Sequence, residues 1–191
     1  MLWRAIVLIS FASFASARAG DEIVFDLDPA QTAVEFSVGS ALHTVHGTFR
    51  LKTGNIRFDP VTGKAEGAAV IDVGSGDSGS PARDRRMLKD ILEAQRYPEA
   101  VFTPDRVDGH LSPEGPSDLQ VHGLFKIHGA EHEMVFQTHV ESKGGRLTAT
   151  MHSVVPYIKW GMKNPSTFIL RVSDKVELEI RASGQLHPPN S

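Results

Sequence analysis

The chain has 191 residues, no cysteine and a formal net charge of −3 at pH 7. This length suffices to bury the core of one domain, and the lack of cysteine rules out disulfides, thiol catalysis and thiolate metal sites. The mild acidity disfavours a nucleic-acid partner, which would need a concentrated basic surface.

The first predicted element is an export signal rather than part of the fold. Arg4 provides a positive start, an apolar stretch follows from Ala5 to Phe14, and Ala17-Arg18-Ala19 supplies the small residues that a signal peptidase requires. The stretch is shorter than the roughly 20 apolar residues that cross a bilayer. We therefore expect a signal peptide over residues 1–19, with Ala15-Ser16-Ala17 as a second possible cleavage site, export to the periplasm and no stable insertion into the membrane.

Alternating apolar residues predict β-strands in the first part of the exported chain. Turn signals separate these strands: Thr53-Gly54-Asn55 predicts a tight reversal, and Gly74 to Pro81 predicts a flexible loop. The large apolar residues that fall on the inward face in this part are Phe36, Phe49, Phe58 and Ile71.

One α-helix is predicted over residues 83–96. Its apolar residues recur at steps of three and four, charged residues occupy the opposite face, and Pro98 ends the segment. A single short helix in a strand-rich chain suggests a lid on a closed β structure. The apolar face of this lid consists of Met87, Leu88, Ile91 and Leu92.

Alternation resumes after the helix, with predicted turns at His128–Glu131 and Lys143–Gly145. The inward residues of these later strands include Phe102, Phe125, Phe136 and Met151. The residues from 185 to 191 are predicted to form a flexible tail, which leaves one domain over residues 20–184.

The predicted fold is all-β and antiparallel. Because charged or polar residues alternate with the apolar ones, one face of the sheet is dry and the other faces water. Consecutive hairpins favour an up-and-down barrel or a strongly curved sandwich, with the helix covering one end. A barrel of about eight strands encloses a space that side chains fill or that one small ligand shares.

Two short motifs resemble catalytic signatures, and each has a plainer interpretation. Gly76 to Pro81 is similar to the segment around a trypsin-like serine nucleophile, but the chain is too short for a double barrel, and a loop with Ser80 as a helix cap explains it. His128-Gly129-Ala130-Glu131-His132 has the spacing of an inverted zinc peptidase, which requires a helix. Here the motif spans a predicted hairpin, so exposed histidines at a turn explain it.

The nine histidines also suggest a metal site, but most of them fall on the polar side of their strands, where an exposed imidazole is the ordinary outcome. A glycine-rich phosphate loop between a strand and a helix is missing from the sequence, so no nucleotide cofactor is expected. We identify neither catalytic residues nor metal ligands. The inward apolar residues form either a tightly packed core or the lining of a cavity, because both use the same residue types.

The sequence resembles the YceI-like family of periplasmic lipid-binding proteins over roughly Val24 to Ser183. The resemblance begins with Phe25-Asp26-Leu27-Asp28 and Val34-Glu35-Phe36-Ser37-Val38, and continues with Gly47-Thr48-Phe49 and Ile56-Arg57-Phe58-Asp59. Its central signature is Arg83-Asp84, then Leu88, then Tyr97-Pro98-Glu99 with Phe102. A glycine-spaced hairpin, Val121 to Gly129, and the closing strand Val172 to Leu178 complete it.

This resemblance implies a lipocalin-like antiparallel eight-stranded barrel with a helical cap, and a polyisoprenoid-type ligand in its apolar interior. The inward aromatic residues would then line a tunnel. Pro156 to Met162 differs from the arginine-containing, phenylalanine-glycine stretch that is common in the family. We hypothesise that Trp160 and Met162 cover the mouth of the tunnel, and that Arg83 or Lys159 faces a polar head group.

Three classes of function remain after these observations. The first is a non-enzymatic binding protein for an isoprenoid or fatty lipid, with a homodimer as one assembly to test. The second is a small hydrolase or isomerase on a lipid-like substrate, with Asp84, His122 or His128 as the base. The third is a ligand-free stress-response protein with a solid core. The inward apolar residues, the lid and the resemblance favour the first class.

Overall fold

The computed structural model describes residues 22–168 and 170–187, so the predicted signal peptide and the last residues of the predicted tail lie outside it. Nine β-strands make up most of this part of the chain. Their bounds are β1 Ile23–Leu27, β2 Ala33–Gly39, β3 Thr44–Phe58, β4 Ala65–Asp77, β5 Glu99–Asp108, β6 Gly115–Ile127, β7 Ala130–Lys143, β8 Arg146–Val155 and β9 Val176–His187.

The strands form one closed antiparallel barrel. From β2 to β9 each strand pairs with the next one along the chain, and β9 pairs with β2 to close the ring. This arrangement confirms the prediction of an all-β up-and-down barrel of about eight strands with a helical cap. Closure satisfies the backbone groups that an open sheet would leave unpaired at its edges.

The ninth strand, β1, does not add a position to the ring. It pairs with the same two strands as β2, because Val24 lies opposite both Arg57 of β3 and His187 of β9. A 3-10 helix, Pro29–Gln31, interrupts the chain between β1 and β2. The two short strands thus occupy one barrel position in succession, and β9 continues to His187, into the segment that was predicted to be a tail.

Two predicted turns in the first half are wrong. Thr53-Gly54-Asn55 does not reverse the chain, because β3 runs through it with only an irregularity in pairing between Leu51 and Thr53. A Cβ on Gly54 would lie 3.0 Å from the Cβ of Leu27, so this glycine makes room for a neighbouring strand. The predicted loop from Gly74 begins later, since β4 continues to Asp77.

The cap is shorter than predicted and changes geometry along its length. Helix α1 spans Pro81–Arg86 and continues as a π-helical turn over Met87–Ile91, in which the N–H of Leu92 donates to the carbonyl of Met87 at 2.9 Å. The helical segment therefore ends at Ile91 rather than residue 96. Glu93 follows with a φ of 49°, and this left-handed residue turns the chain before Pro98 has any effect.

The core lies inside the barrel as two clusters, one under the cap and one toward the opposite end. Phe102 and Phe136 meet edge to face in the first cluster, with ring centroids 5.0 Å apart and an interplanar angle of 86°. This geometry contributes about 0.5–1.5 kcal/mol beyond the burial of the rings. The outer surface carries the polar residues of the alternating pattern.

Candidate functional site

The two core clusters do not fill the barrel. An upper cavity of about 150 Å³ lies under the cap and opens to solvent. Strands of the barrel, the π-helical turn and the segment between β8 and β9 all contribute side chains to it. Its lining consists of Val34, Phe36, Val38, Phe49, Ile71, Val73, Met87, Ile91, Leu92, Ala100, Phe125, Ile127, Val155, Tyr157, Met162, Pro165, Val172, Val176 and Leu178.

A lower cavity of about 110 Å³ occupies the opposite half of the barrel. Apart from Thr32 and Thr138, its described lining is hydrophobic. The hydroxyl of Thr138 donates to the carbonyl of Phe136 at 3.3 Å, while that of Thr32 is buried without a hydrogen-bond partner among the described residues. The other lining residues are Phe25, Leu27, Val34, Leu51, Ile56, Phe58, Ala69, Ile71, Phe102, Val107, Leu111, Leu119, Val121, Phe125, Phe136, Val140, Leu147, Ala149, Met151, Leu178, Ile180 and Ala182.

The segment after β8 closes over the upper cavity and is fixed by hydrogen bonds. The phenol of Tyr157 donates to the carbonyl of Ser173 at 2.8 Å, and the N–H of Met162 donates to the carbonyl of Tyr157 at 3.0 Å. Burial, with a smaller contribution from the charge of Asp174, raises the pKa of the Tyr157 phenol. Tyr157 is therefore a neutral structural side chain, and Met162, only 4% exposed, points into the cavity.

Most of the residues predicted from the sequence to contact a ligand line one of the cavities. In the upper cavity these are Phe36, Phe49, Ile71, Met87, Ile91, Leu92, Phe125 and Met162. In the lower cavity they are Phe58, Ile71, Phe102, Phe125, Phe136 and Met151. The alternation of apolar residues was the signal that placed the barrel residues on the inner face.

Leu88 and Trp160 lie outside both linings. Leu88 packs toward β4, where a Cβ on Gly76 would be 3.2 Å from its Cδ2. The indole of Trp160 stacks on the imidazole of His132 with centroids 4.1 Å apart and planes 1° apart, and its ring lies 6.3 Å from that of Phe125. Trp160 thus joins the segment after β8 to the rim of β7.

The two predicted head-group residues have different surroundings. Arg83 donates from Nε to the hydroxyl of Ser78 at 2.8 Å and from Nη2 to the carbonyl of Ser78 at 2.7 Å. Its guanidinium therefore holds the chain that enters the cap. Lys159 is exposed on the segment that carries Met162.

Sequence reasoning missed several lining residues from the segment after β8, where the alternating pattern breaks down. Tyr157, Pro165 and Val172 line the upper cavity from outside the strands. A periodic pattern cannot place residues in irregular chain, so no signal in the sequence identified them. Val34, Val176 and Leu178 could have been found, because they belong to alternating segments.

The candidate catalytic motifs are engaged in local contacts. Ser78, in the protease-like segment, bonds to the carboxylate of Asp84 and to Arg83 rather than to a histidine. His122 contacts Asp108 at 2.9 Å and His128 lies 3.5 Å from Glu93. Asp84, His122 and His128 contribute to neither cavity lining.

The zinc-peptidase spacing falls on a hairpin. His128 and Gly129 form the two-residue turn between β6 and β7, with φ values of 52° and 80°. His132 lies on β7 opposite Phe125, so the two imidazoles do not occupy successive turns of a helix. Among residues 22–168 and 170–187, no group of three or more histidine or acidic side chains is placed to hold a metal ion.

In the described part of the chain, no helix has both the length and the apolar character needed to cross a membrane. The fold and the site together define a closed β-barrel with a capped, apolar interior.

The chain belongs to the YceI-like family, since the profile of the YceI-like domain matches residues 25–183. No protein with a curated description matches it. The expectation drawn from the sequence motifs is confirmed.

Solved structures share this barrel. BcnA from Burkholderia cenocepacia matches with a TM-score of 0.68 and 20% sequence identity, over 84% of this chain and 100% of that one. A polyisoprenoid binding domain from Saccharophagus degradans matches with a TM-score of 0.61 and 18% identity, over 86% of this chain and 98% of that one. The YceI protein of Campylobacter jejuni matches with a TM-score of 0.60 and 18% identity, over 74% and 84%.

Proposed function

We propose that this protein is a periplasmic carrier that holds a long-chain polyisoprenoid, or a similar amphiphilic lipid, inside its barrel. The observation that carries the proposal is the pair of adjacent cavities, whose described linings are hydrophobic except for three hydroxyl groups, those of Thr32, Thr138 and Tyr157. The polyisoprenoid binding domain among the structural neighbours supports the same class of ligand.

The physical argument rests on the surface that a lipid tail removes from water. Burial of apolar surface contributes about 25 cal/mol per Å², and a long isoprenoid has no other way to cross an aqueous compartment. The cavities of about 150 and 110 Å³ are each smaller than an ordinary ligand site, so a long tail would have to occupy both of them. A polar head group would lose its hydration inside such a lining, so we place it outside, near Lys159.

The direct test is mass spectrometry of organic extracts from freshly purified protein. We expect a prenyl or fatty lipid in stoichiometric amount. Ala100→Leu adds side-chain atoms that fill part of the upper cavity. It should lower lipid occupancy by about tenfold, because these atoms displace ligand atoms. Val101→Leu is the matched control, since its neighbouring position on β5 faces away from the cavity.

Two results would contradict the carrier. Protein that neither co-purifies with lipid nor takes up added geranylgeraniol would favour the third class, a barrel with a solid core. Conversion of an added ester or prenyl phosphate, lost on alanine substitution at Asp84, His122 or His128, would favour the enzyme. Occupancy that falls equally in Ala100→Leu and Val101→Leu would place the lipid elsewhere than in the upper cavity.

The proposed location has its own test. After expression of the full chain, we expect the protein in the periplasmic fraction, with an amino terminus that begins at Gly20. A cytoplasmic protein that retains Met1 would contradict export and leave lipid binding unaffected.

A further inference from the structure

Four side chains contact both cavities and thereby separate them. Val34 on β2, Ile71 on β4, Phe125 on β6 and Leu178 on β9 are the residues shared by the two linings. They come from strands around the barrel rather than from one side of it. A ligand tail that extends from the upper cavity into the lower one must pass between them.

Phe125 is the largest of these four side chains and is only 3% exposed. Its strand position pairs with Phe102 of β5 and with His132 of β7. A phenylalanine rotates about two side-chain bonds, whereas the β-branched Val34 and Ile71 are stiff at the first of them. Phe125 is therefore the side chain best able to widen or narrow the passage.

Resting on the lipid-carrier function proposed above, we propose that Val34, Ile71, Phe125 and Leu178 form a constriction that determines the length of the tail this barrel accepts. A short tail occupies the upper cavity alone. A longer tail gains the lower cavity only when Phe125 turns aside. The constriction thus selects prenyl lipids by tail length, while the apolar linings above and below it do not distinguish one apolar tail from another.

The probes are geraniol and geranylgeraniol, which have the same head group and differ in tail length. Burial of one methylene contributes about 0.8 kcal/mol to the binding free energy, so each methylene that enters the lower cavity increases affinity by about fourfold. The measured quantity is the ratio of the two affinities, because this ratio cancels effects that a substitution exerts on both ligands.

A wider constriction should favour the long tail. In Phe125→Ala we expect the preference for geranylgeraniol over geraniol to rise by about tenfold or more, as several additional carbons reach the lower cavity. Phe49→Ala is the matched control: it removes the same side chain from the upper cavity only, so both affinities should fall and their ratio should stay constant. Phe125→Leu replaces the alanine variant if thermal unfolding shows that the latter does not fold.

A narrower constriction should act in the opposite direction. Leu178 is only partly buried, so Leu178→Phe adds bulk at the same level with less overpacking than a change at Val34. Because Leu178 also lines the upper cavity, the ratio of the two affinities is the quantity compared: we expect the preference for geranylgeraniol over geraniol to fall by about tenfold.

Trp160 offers a second readout in the same protein. Its ring is 6.3 Å from that of Phe125, and it is the only tryptophan in protein that begins at Gly20. Geranylgeraniol should change its fluorescence more than geraniol does, because only the longer tail displaces Phe125.

The outcomes separate the two proposals. If wild-type protein binds neither alcohol, the lipid-carrier function fails, and the constriction fails with it. If the wild type binds both, and the affinity ratio is unchanged in folded variants at Phe125 and in Leu178→Phe, the constriction is wrong while the carrier stands.

Discussion

At the scale of single residues, two histidines of β7 illustrate how side-chain orientation determines chemistry. His132 stacks on Trp160, and burial lowers the pKa of its imidazole. His139 faces outward, and a hydrogen bond with Asp118 at 2.8 Å, aided by the charges of Asp118 and Glu141, raises the pKa of its imidazole. The same residue type, on one strand, is therefore biased toward opposite protonation states.

These opposite shifts predict opposite effects of acid on stability. Below the ordinary histidine pKa of 6.5, the unfolded chain binds a proton at His132 more readily than the folded chain does, so His132 destabilises the fold increasingly as the pH falls toward its lowered pKa. His139 contributes stability that is complete below 6.5 and is lost as the pH rises through its raised pKa. Thermal unfolding between about pH 8 and about pH 5 measures both effects.

Two variants separate these contributions. His132→Phe retains an aromatic partner for Trp160 and should lose less stability than the wild type on acidification. His139→Ala should lose more, because it lacks the favourable protonated contact. Parallel curves for the wild type and both variants would show that neither imidazole is coupled to folding.

At the scale of secondary structure, glycines position the strands for different reasons. Gly144 and Gly145 turn the chain between β7 and β8 with φ values of 57° and 73°. Gly123 lies within β6 and packs against β5, where a Cβ would collide with the carbonyl oxygen of Thr103 and come within 2.8 Å of the Cα of Pro104. Both atoms belong to the backbone and cannot move aside cheaply.

Gly123→Ala is therefore expected to destabilise the protein by about 2 kcal/mol or more, since the added methyl group forces β5 and β6 apart. Gly39→Ala is the control, because a Cβ there meets no atom within 4 Å and should change stability by about 0.5 kcal/mol or less. Urea unfolding measures both. Equal midpoints for the two variants would contradict the close contact between β5 and β6.

These elements also show how far the sequence predicts the fold. Period-two alternation placed Phe36, Phe125 and Phe136 on the inner face, because each strand buries one side. The same signals failed at Gly54, since a glycine that turns the chain and a glycine that makes room for Leu27 look alike in sequence. The predicted helix end at residue 96 was wrong, because a helical apolar stripe does not show where a helix changes to π geometry and ends at Ile91.

At the scale of the whole molecule, the sequence could not distinguish a cavity from a core. Phe58, Phe102 and Met151 would be chosen for either, and only the closed ring of strands shows that they surround space. The sequence also could not show that the four residues between the cavities lie at one level of the barrel, because that level depends on the register of four separate strands.

An occupied interior should stabilise the entire barrel. A ligand that binds only the folded protein adds about 2.7 kcal/mol to the free energy of unfolding at a concentration of about 100 times its Kd. We expect delipidated protein to show this increase with geranylgeraniol in thermal unfolding, and Ala100→Leu to show a smaller one at the same concentration. Binding by equilibrium dialysis without any rise in Tm would mean that the lipid does not require the folded barrel.

The pairing of the last strand with the first two has a consequence for folding during synthesis. The strand that completes the ring, β9, is the last along the chain, and it pairs with β1 and β2, the first two. Nearly the entire polypeptide must therefore leave the ribosome before the ring can close. Until then, β1 and β2 lack β9 as a pairing strand.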